Sequence, residues 1–282
     1  MNGKIKIATA MLIWGSVGIF ARFSNLSGLG VAFFRVSLGA LLLLPILAGK
    51  KRWLQSLPSL LREMWKPLLA LGVSLALNWV FLFTAFNYTT IANAVLVYYL
   101  SPIIATVISW RFLGERLSPR TWLLIGIAFL GLILIMSGQS LDLSDRNFIG
   151  ILLALVAAFF YALIPNLGRF LRGIDGKTLT FLQLAIASLV LAPFIAVMGT
   201  GEPVWWAVFV LVAVHTVLAL FLYMDGLKEV EVNEAALLSY LDPMSAVVYA
   251  FLVFGEVPEL RTAVGGAMIL LASLLDIKAR GS

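Results

Sequence analysis

The chain has 282 residues, of which 62% are hydrophobic and 12% charged, with a net charge of +6 and a mean hydropathy of +1.03. A soluble domain carries about a quarter charged residues, so composition excludes a water-soluble fold and makes the bilayer the solvent for most of the chain. The absence of cysteine excludes disulfides, thiol nucleophiles and thiolate metal sites, and a single histidine argues against zinc. The basic excess reads as cytoplasmic flanks of membrane spans rather than as nucleic-acid binding.

Breaks of charge, Gly, Pro and Asn divide the chain into ten apolar segments: 5–23, 29–48, 67–88, 91–113, 120–138, 148–171, 178–198, 204–224, 233–254 and 261–277. Each approaches the roughly 20 residues that a helix needs to cross about 30 Å of hydrocarbon. The first follows Lys4 and Lys6 as a signal peptide would, but no small-x-small cleavage site follows it, so it reads as a retained span. Segment 49–66 is the one long connection. Its Lys50, Lys51, Arg52, Arg62 and Lys66, with Trp53 and Trp65, suit an amphipathic stretch lying on the membrane surface. With the N-terminus inside, the cytoplasmic segments also hold Arg111, Arg116, Arg120, Arg169, Arg172, Lys177, Lys228, Lys278 and Arg280, and the outer ones only Arg22, Arg146 and Arg261. Both termini are therefore expected in the cytoplasm. The acidic run Asp225, Glu229, Glu231 and Glu234 falls on the same side, where acidic residues weigh little.

The chain repeats itself. Tyr99-Leu100-Ser101-Pro102 is followed twelve residues later by Gly114-Glu115, and Tyr240-Leu241-Asp242-Pro243 twelve residues later by Gly255-Glu256. Residues 85–135 align with 226–276 without a gap, and Thr121 meets Thr262. Arg22 meets Arg169 and Pro45 meets Pro193 with slight slippage. The chain thus divides into 1–140 and 141–282, each with five spans. Five is odd, so the second copy enters the membrane from the opposite side. The expected fold is an all-α membrane protein of ten transmembrane helices in two inverted five-helix repeats, a transporter architecture.

Several residues are expensive or unusual at mid-span. Pro102 and Pro243 lack an N–H and would kink their helices as hinges, freeing the carbonyls of Tyr98 and Ser239. Asp242 lies about nine residues into its span, roughly 14 Å deep at 1.5 Å per residue. It reads either as a proton, cation or substrate site or as the N-cap of a broken helix, with Ser101 as its counterpart. His215, beside Thr216, either lines the pathway or is a hydrogen-bonded core residue, and its depth permits a pair with Asp242. Arg35 could snorkel, pair with an acid, or hold a substrate carboxylate; its counterpart is Gln183. The Gly-Glu pairs read as turn chemistry at span ends, where charge is cheaply solvated. Trp14, Asn78, Trp79, Tyr98, Tyr99, Tyr161, Asn166 and Tyr240 bring stacking faces with amide and hydroxyl tips away from the interfaces. With His215, Ser239 and Asp242 they form the candidate solute-binding set.

The chain resembles the drug/metabolite transporter superfamily in its EamA-type branch. Trp14-Gly15-Ser16, Phe34-Arg35, Tyr99-Leu100-Ser101-Pro102 with Leu113-Gly114-Glu115-Arg116-Leu117, and Asp242-Pro243 with Phe254-Gly255-Glu256 carry the likeness across nearly the whole chain. Members often have Glu where Asp242 stands. The resemblance implies a central cavity lined by spans 1, 3, 4, 6, 8 and 9. It also implies substrates among amino acids, other metabolites, nucleosides, sugars and cationic drugs, often exported. The function expected is secondary transport of small amphipathic solutes, such as amino acids or related metabolites, across the plasma (inner) membrane by alternating access, with protons as a coupling partner or no coupling at all. No Walker motif or cofactor motif is present. A monomer or weak homodimer in the bilayer is expected. The alternatives are an intramembrane enzyme, for which one His and no Cys make a poor set, and a non-transporting receptor.

Overall fold

The computed structural model describes residues 2–49, 51–114, 116–137, 142–171, 173–226, 229–230 and 238–281. The described chain is all-α. Its helices are α1 (Gly3–Gly15), α2 (Val17–Phe23), α3 (Gly28–Ala48), α4 (Lys51–Tyr88), α5 (Ile91–Tyr98), α6 (Ser101–Leu113), α7 (Pro119–Met136), α8 (Arg146–Gly168), α9 (Gly176–Met198), α10 (Trp205–Val212), α11 (Ala219–Gly226), α12 (Leu241–Phe254) and α13 (Leu260–Gly281). A π-helical segment, Ala213–Leu218, joins α10 to α11. Among the described residues, eight stretches are long and apolar enough to cross a bilayer: Gly3–Phe23, Gly28–Ala48, Leu57–Tyr88, Ile91–Phe112, Pro119–Met136, Arg146–Gly168, Gly176–Met198 and Trp205–Tyr223. Leu241–Phe254 is a shorter apolar helix, and the expected span start at 233–237 lies outside the described residues. Glu115, Arg172, Lys228, Glu231 and Glu234 lie outside them too.

The helix starts follow local chemistry. Side chains of Asn2, Ser27, Thr90, Ser118 and Asp175 accept from backbone N–H groups of the first turns of α1, α3, α5, α7 and α9. Helices α6 and α12 end alike, at Gly114 (φ 70°) and Gly255 (φ 67°) in the left-handed region that glycine adopts without penalty. The 49–66 segment is helical from Lys51 and is continuous with the third span. It bends at Met64 (φ −115°, ψ 18°), and Leu57 and Leu60 pack on a cluster with Leu68, Leu71, Leu171 and Leu182.

The helices pair closely. Helix α4 lies on α8, α3 and α9; α3 lies on α9; α1 lies on α11 and α12; α5 and α6 lie on α8; and α7 lies on α13. Connections at one face are tied together. Leu26 and Gly201 form an isolated antiparallel bridge, Ser27 N–H donates to Thr200 O at 3.0 Å, and Val204 N–H donates to Ser24 O at 2.9 Å. Small residues allow a close crossing of α7 and α13, as expected where packing drives association in lipid. A Cβ on Gly131 would lie 2.5 Å from Gly265 O, and one on Gly265 would lie 2.4 Å from Gly131 O.

Gly131→Ala or Gly265→Ala is therefore expected to push α7 and α13 apart and destabilise the protein by about 1–3 kcal/mol. Gly126→Ala on the same helix, whose Cβ would meet nothing within 4 Å, is expected to be neutral or slightly stabilising. Thermal unfolding of the three detergent-solubilised variants checks this.

Candidate functional site

Three membrane-crossing segments are interrupted along their length, and the interruptions meet one another or the start of α12. The first breaks at Ser16, between α1 and α2, where the Ser16 hydroxyl donates back to Ile13 O at 2.8 Å. A Cβ on Gly15 would lie 2.0 Å from Ser245 Oγ and 2.8 Å from Asp242 O, so glycine lets the end of α1 rest on the first turn of α12. The span Trp205–Tyr223 widens into the π segment, a feature that frequently marks functional sites. There His215 Nδ1 lies 3.1 Å from Val210 O, five residues back. A carbonyl only accepts, so Nδ1 carries the proton, and Nε2 faces the Ser16 hydroxyl at 2.9 Å. The Trp14 indole N–H donates to His215 O at 2.8 Å.

The third interruption and the start of α12 are the proline sites. Tyr99 and Leu100 separate α5 from α6, and Tyr240 precedes α12. Pro102 and Pro243 occupy first turns, where a missing N–H leaves no interior bond unmade. Asp242 is not the N-cap, and neither is Ser101. The capping positions are Tyr240 and Leu100, both in right-handed helical geometry without a side-chain bond. Placed inside the first turn, the Asp242 carboxylate is free to point away from the backbone, and it accepts from the Tyr99 hydroxyl at 2.8 Å. The same hydroxyl reaches Ser239 O at 3.5 Å, and Ser273 Oγ–H donates to Tyr99 O at 3.2 Å. Asp242 and His215 do not pair. The wider turn aims the imidazole at Ser16, whereas Asp242 faces Tyr99 on α5–α6.

Arg35, on α3, neither snorkels nor pairs with an acid among the described residues. It is 6% exposed. Its Nε donates to Thr216 Oγ1 at 3.1 Å and Nη2 to His215 O at 3.4 Å. Its guanidinium lies 4.1 Å from the Trp79 ring centroid and 5.2 Å from that of Phe83.

Asn78 is fully buried, donating to Ala157 O at 2.8 Å and to the Tyr98 hydroxyl at 3.2 Å. Tyr98 stacks on Tyr161 at 5.1 Å and meets Tyr99 edge-on at 6.3 Å; Tyr99 meets Tyr240 at 6.2 Å. Tyr161 is 44% exposed, and Tyr98, Tyr99, Tyr240 and Asp242 are half-buried. Asn166 belongs elsewhere. It accepts from Ser109 Oγ at 2.7 Å and donates to Ala105 O and Ala162 O, tying α8 to α6. A groove of about 440 Å³, lined by Leu12, Ile13, Phe20, Tyr249 and Leu252 among others, opens between α1–α2 and α12 and touches Ser16.

Charge also closes both ends of the first span. Lys6 donates to Asp225 at 2.8 Å and to Glu229 at 2.6 Å, and this bond holds the Glu229 carboxyl below its usual range. At the other end Arg22 pairs with Glu256 and donates to Phe86 O and Thr89 O at 2.8 and 2.9 Å. Glu256 Oε2 accepts the N–H of Ile91 at 2.8 Å, so this glutamate is a structural clamp rather than a solvated turn residue. The buried Asp276, which accepts from Thr106 at 2.7 Å, is not marked by local pattern in the sequence. Lys6, Arg22, Asp225, Glu229 and Glu256 are legible there as charges beside apolar runs, and Ser16 as part of Trp14-Gly15-Ser16, but not as partners. No group of three or more metal-ligating side chains occurs among the described residues. The arrangement suits reversible binding of a small solute.

The EamA-like transporter family matches residues 1–137 and 148–276. An uncharacterized transporter of Bacillus subtilis (strain 168), YxxF, is 32% identical over 98% of this chain and 89% of its own length. The pseudopaline exporter CntI of Pseudomonas aeruginosa (strain UCBPP-PA14) is 26% identical over 86% and 84%. A crystal structure at 21% identity, covering 96% of this chain and 95% of that one, superposes with a TM-score of 0.64, a likeness of fold.

Tyr99→Phe deletes the one hydrogen-bond donor described at the Asp242 carboxylate and is expected to cost about 1–3 kcal/mol of stability. Tyr161→Phe keeps its ring stack and is expected to stay within about 0.5 kcal/mol of the parent. Thermal unfolding of the two variants side by side makes the comparison.

Proposed function

The chain belongs to the EamA-like transporter family, and from that membership we propose that it is a secondary transporter which moves small amphipathic solutes, amino acids or related metabolites, outward across the plasma membrane by alternating access. The carrying observation is the pair of ion-pair clamps at opposite ends of the first span, Lys6 with Asp225 and Glu229, Arg22 with Glu256, with helix interruptions midway. Lys6 and Arg22 are sixteen residues apart, about 24 Å along a helix. Opening one clamp while the other stays shut exposes the midway polar residues to one side only.

The ten-span, inverted-repeat reading is supported by the packing pattern. In that reading, exchanging each span for the one five places on maps the contact of α4 with α8 onto that of α11 with α1, and maps the α3·α9 and α7·α13 contacts onto themselves. Two halves related in this way supply two near-equal packings. Cytoplasmic termini follow from the basic-residue asymmetry. Outward transport draws support from the likeness to an exporter. The solute site comprises Trp14, Asn78, Trp79, Tyr98, Tyr99, Tyr161, His215, Ser239, Tyr240 and Asp242, with Pro102 and Pro243 as hinges. Asp242 is the proton-coupling group.

Two experiments test this reading. The chain lacks cysteine, so a single cysteine at Tyr161 can report access by maleimide labelling from each face. Lys6→Gln is expected to raise labelling from the N-terminal face and Glu256→Gln from the opposite one, each by about two- to fivefold. Equal labelling in both variants would count against the clamps. In proteoliposomes, Asp242→Asn is expected to abolish the pH dependence of transport while leaving the unfolding temperature near that of the parent. Transport with unaltered pH dependence would remove Asp242 from coupling.

A further inference from the structure

Two ionisable side chains of opposite sign lie inside the bundle, and neither has a counterion among the described residues. Arg35 is buried on α3, yet its hydrogen bonds go to a hydroxyl and a carbonyl, and its flat faces meet Trp79 and Phe83. Two of its five N–H donors are used. Asp242 on α12 receives one hydrogen bond, from a neutral tyrosine, through one of its two oxygens. Among the described residues every ion pair lies at a span end; none includes Arg35 or Asp242. Burying a charge in a membrane interior is costly, and a partner of opposite sign is its usual compensation. Here each charge is held by neutral groups, in place but uncompensated. Tyr98 links the residues that hold them. Its ring meets that of Tyr99, which holds Asp242, and its hydroxyl is fixed by Asn78 one residue before Trp79, which carries Arg35 on its face. A chain of contacts through Tyr99, Tyr98, Asn78 and its neighbour Trp79 therefore joins one pole to the other.

Resting on the transporter reading above, we propose that Arg35 and Asp242 are the two charge-recognising poles of the solute site, so that the solute is a small zwitterion whose carboxylate meets Arg35 and whose ammonium meets Asp242. The planar guanidinium offers the paired donors that a carboxylate takes. The carboxylate of Asp242, anchored through one oxygen, offers the other to an ammonium. Tyr98, Tyr99 and Trp79 cover the carbon frame between them. A solute with both charges neutralises both poles at once, whereas a solute with one charge leaves the opposite pole buried and uncompensated. Arg35 also holds the carbonyl at the π segment, so a purely structural role makes a different forecast: its replacement would weaken every ligand equally.

The test uses the purified full-length chain, thermal shift and counterflow in proteoliposomes, with matched triplets as probes: leucine, isoamylamine and 4-methylpentanoate; phenylalanine, phenethylamine and 3-phenylpropanoate; and 6-aminohexanoate with hexylamine and hexanoate. In the parent, at least one zwitterion is expected to bind tenfold or more tightly than both of its singly charged analogues. Arg35→Gln is expected to erase the preference over the amine, and Asp242→Asn the preference over the acid, each leaving the other preference in place. Arg35→Lys, which keeps the charge without the fork, is expected to retain part of the first preference, and it carries the arginine arm where Arg35→Gln does not fold. Equal binding of zwitterion and analogues in the parent overturns the proposal, as does an Arg35 variant that weakens all members of a triplet by the same factor. Exchange of sugars, nucleosides or cationic dyes without any zwitterion overturns it while leaving the transporter reading intact; absence of exchange for every solute overturns both.

Discussion

Hydrocarbon offers no hydrogen bond, so wherever a helix is interrupted inside the bilayer the protein must answer the exposed backbone itself. The interruptions at Ser16, Tyr99–Leu100 and Ala213–Leu218 and the start of α12 at Tyr240 all obey this constraint, and they obey it by answering one another. Trp14 reaches His215 O in the π segment, and the Ser16 hydroxyl faces the imidazole. The Tyr99 hydroxyl spans Asp242 and Ser239 O, while Ser273 returns a bond to Tyr99 O. Polar side chains therefore converge in mid-bundle because the backbone there is irregular, and the same convergence creates a place where a solute's polar groups can be met.

Charge follows a second division. At the ends of the first span, water is near and ion pairs are cheap to separate, so Lys6 with Asp225 and Glu229, and Arg22 with Glu256, can hold helices without locking them. The Glu256 clamp reaches farther than a simple pair. Through Arg22 and the Ile91 N–H it ties α2, the end of α4, the start of α5 and the turn after α12. Midway, Arg35 and Asp242 keep to neutral partners. In the proposed site, a direct ion pair between them would fill the space with the protein's own charges.

Close backbone contact gives these arrangements a rigid frame. Gly131 against Gly265 fixes α7 on α13, and Gly15 fixes the broken end of α1 on α12 beside Asp242. The second contact matters for chemistry as well as packing. It sets Ser16, whose hydroxyl faces His215, beside the first turn of α12, whose Asp242 accepts instead from Tyr99.

Much of this was legible in the chain itself. Expected segments 29–48 and 178–198 correspond to Gly28–Ala48 and Gly176–Met198, because hydropathy is a sum over neighbours and the bilayer filters on that sum. The glycine helix ends at Gly114 and Gly255, and the proline sites of α6 and α12, were legible for the same local reason. The polar mid-span residues could be named as expensive, yet not given partners. Asn166 proved to serve the α6–α8 seam, His215 turned to Ser16 rather than to Asp242, and Glu256 became a clamp. The π segment has no sequence signature comparable to a proline. Partners some 200 residues apart, such as Trp14 and His215, depend on which helices lie side by side and how each is rotated about its axis. Periodicity along one helix carries that information only weakly in a chain where lipid and core faces are both apolar. Local composition determined where the chain crosses; only the tertiary packing decided which polar groups face each other when it does.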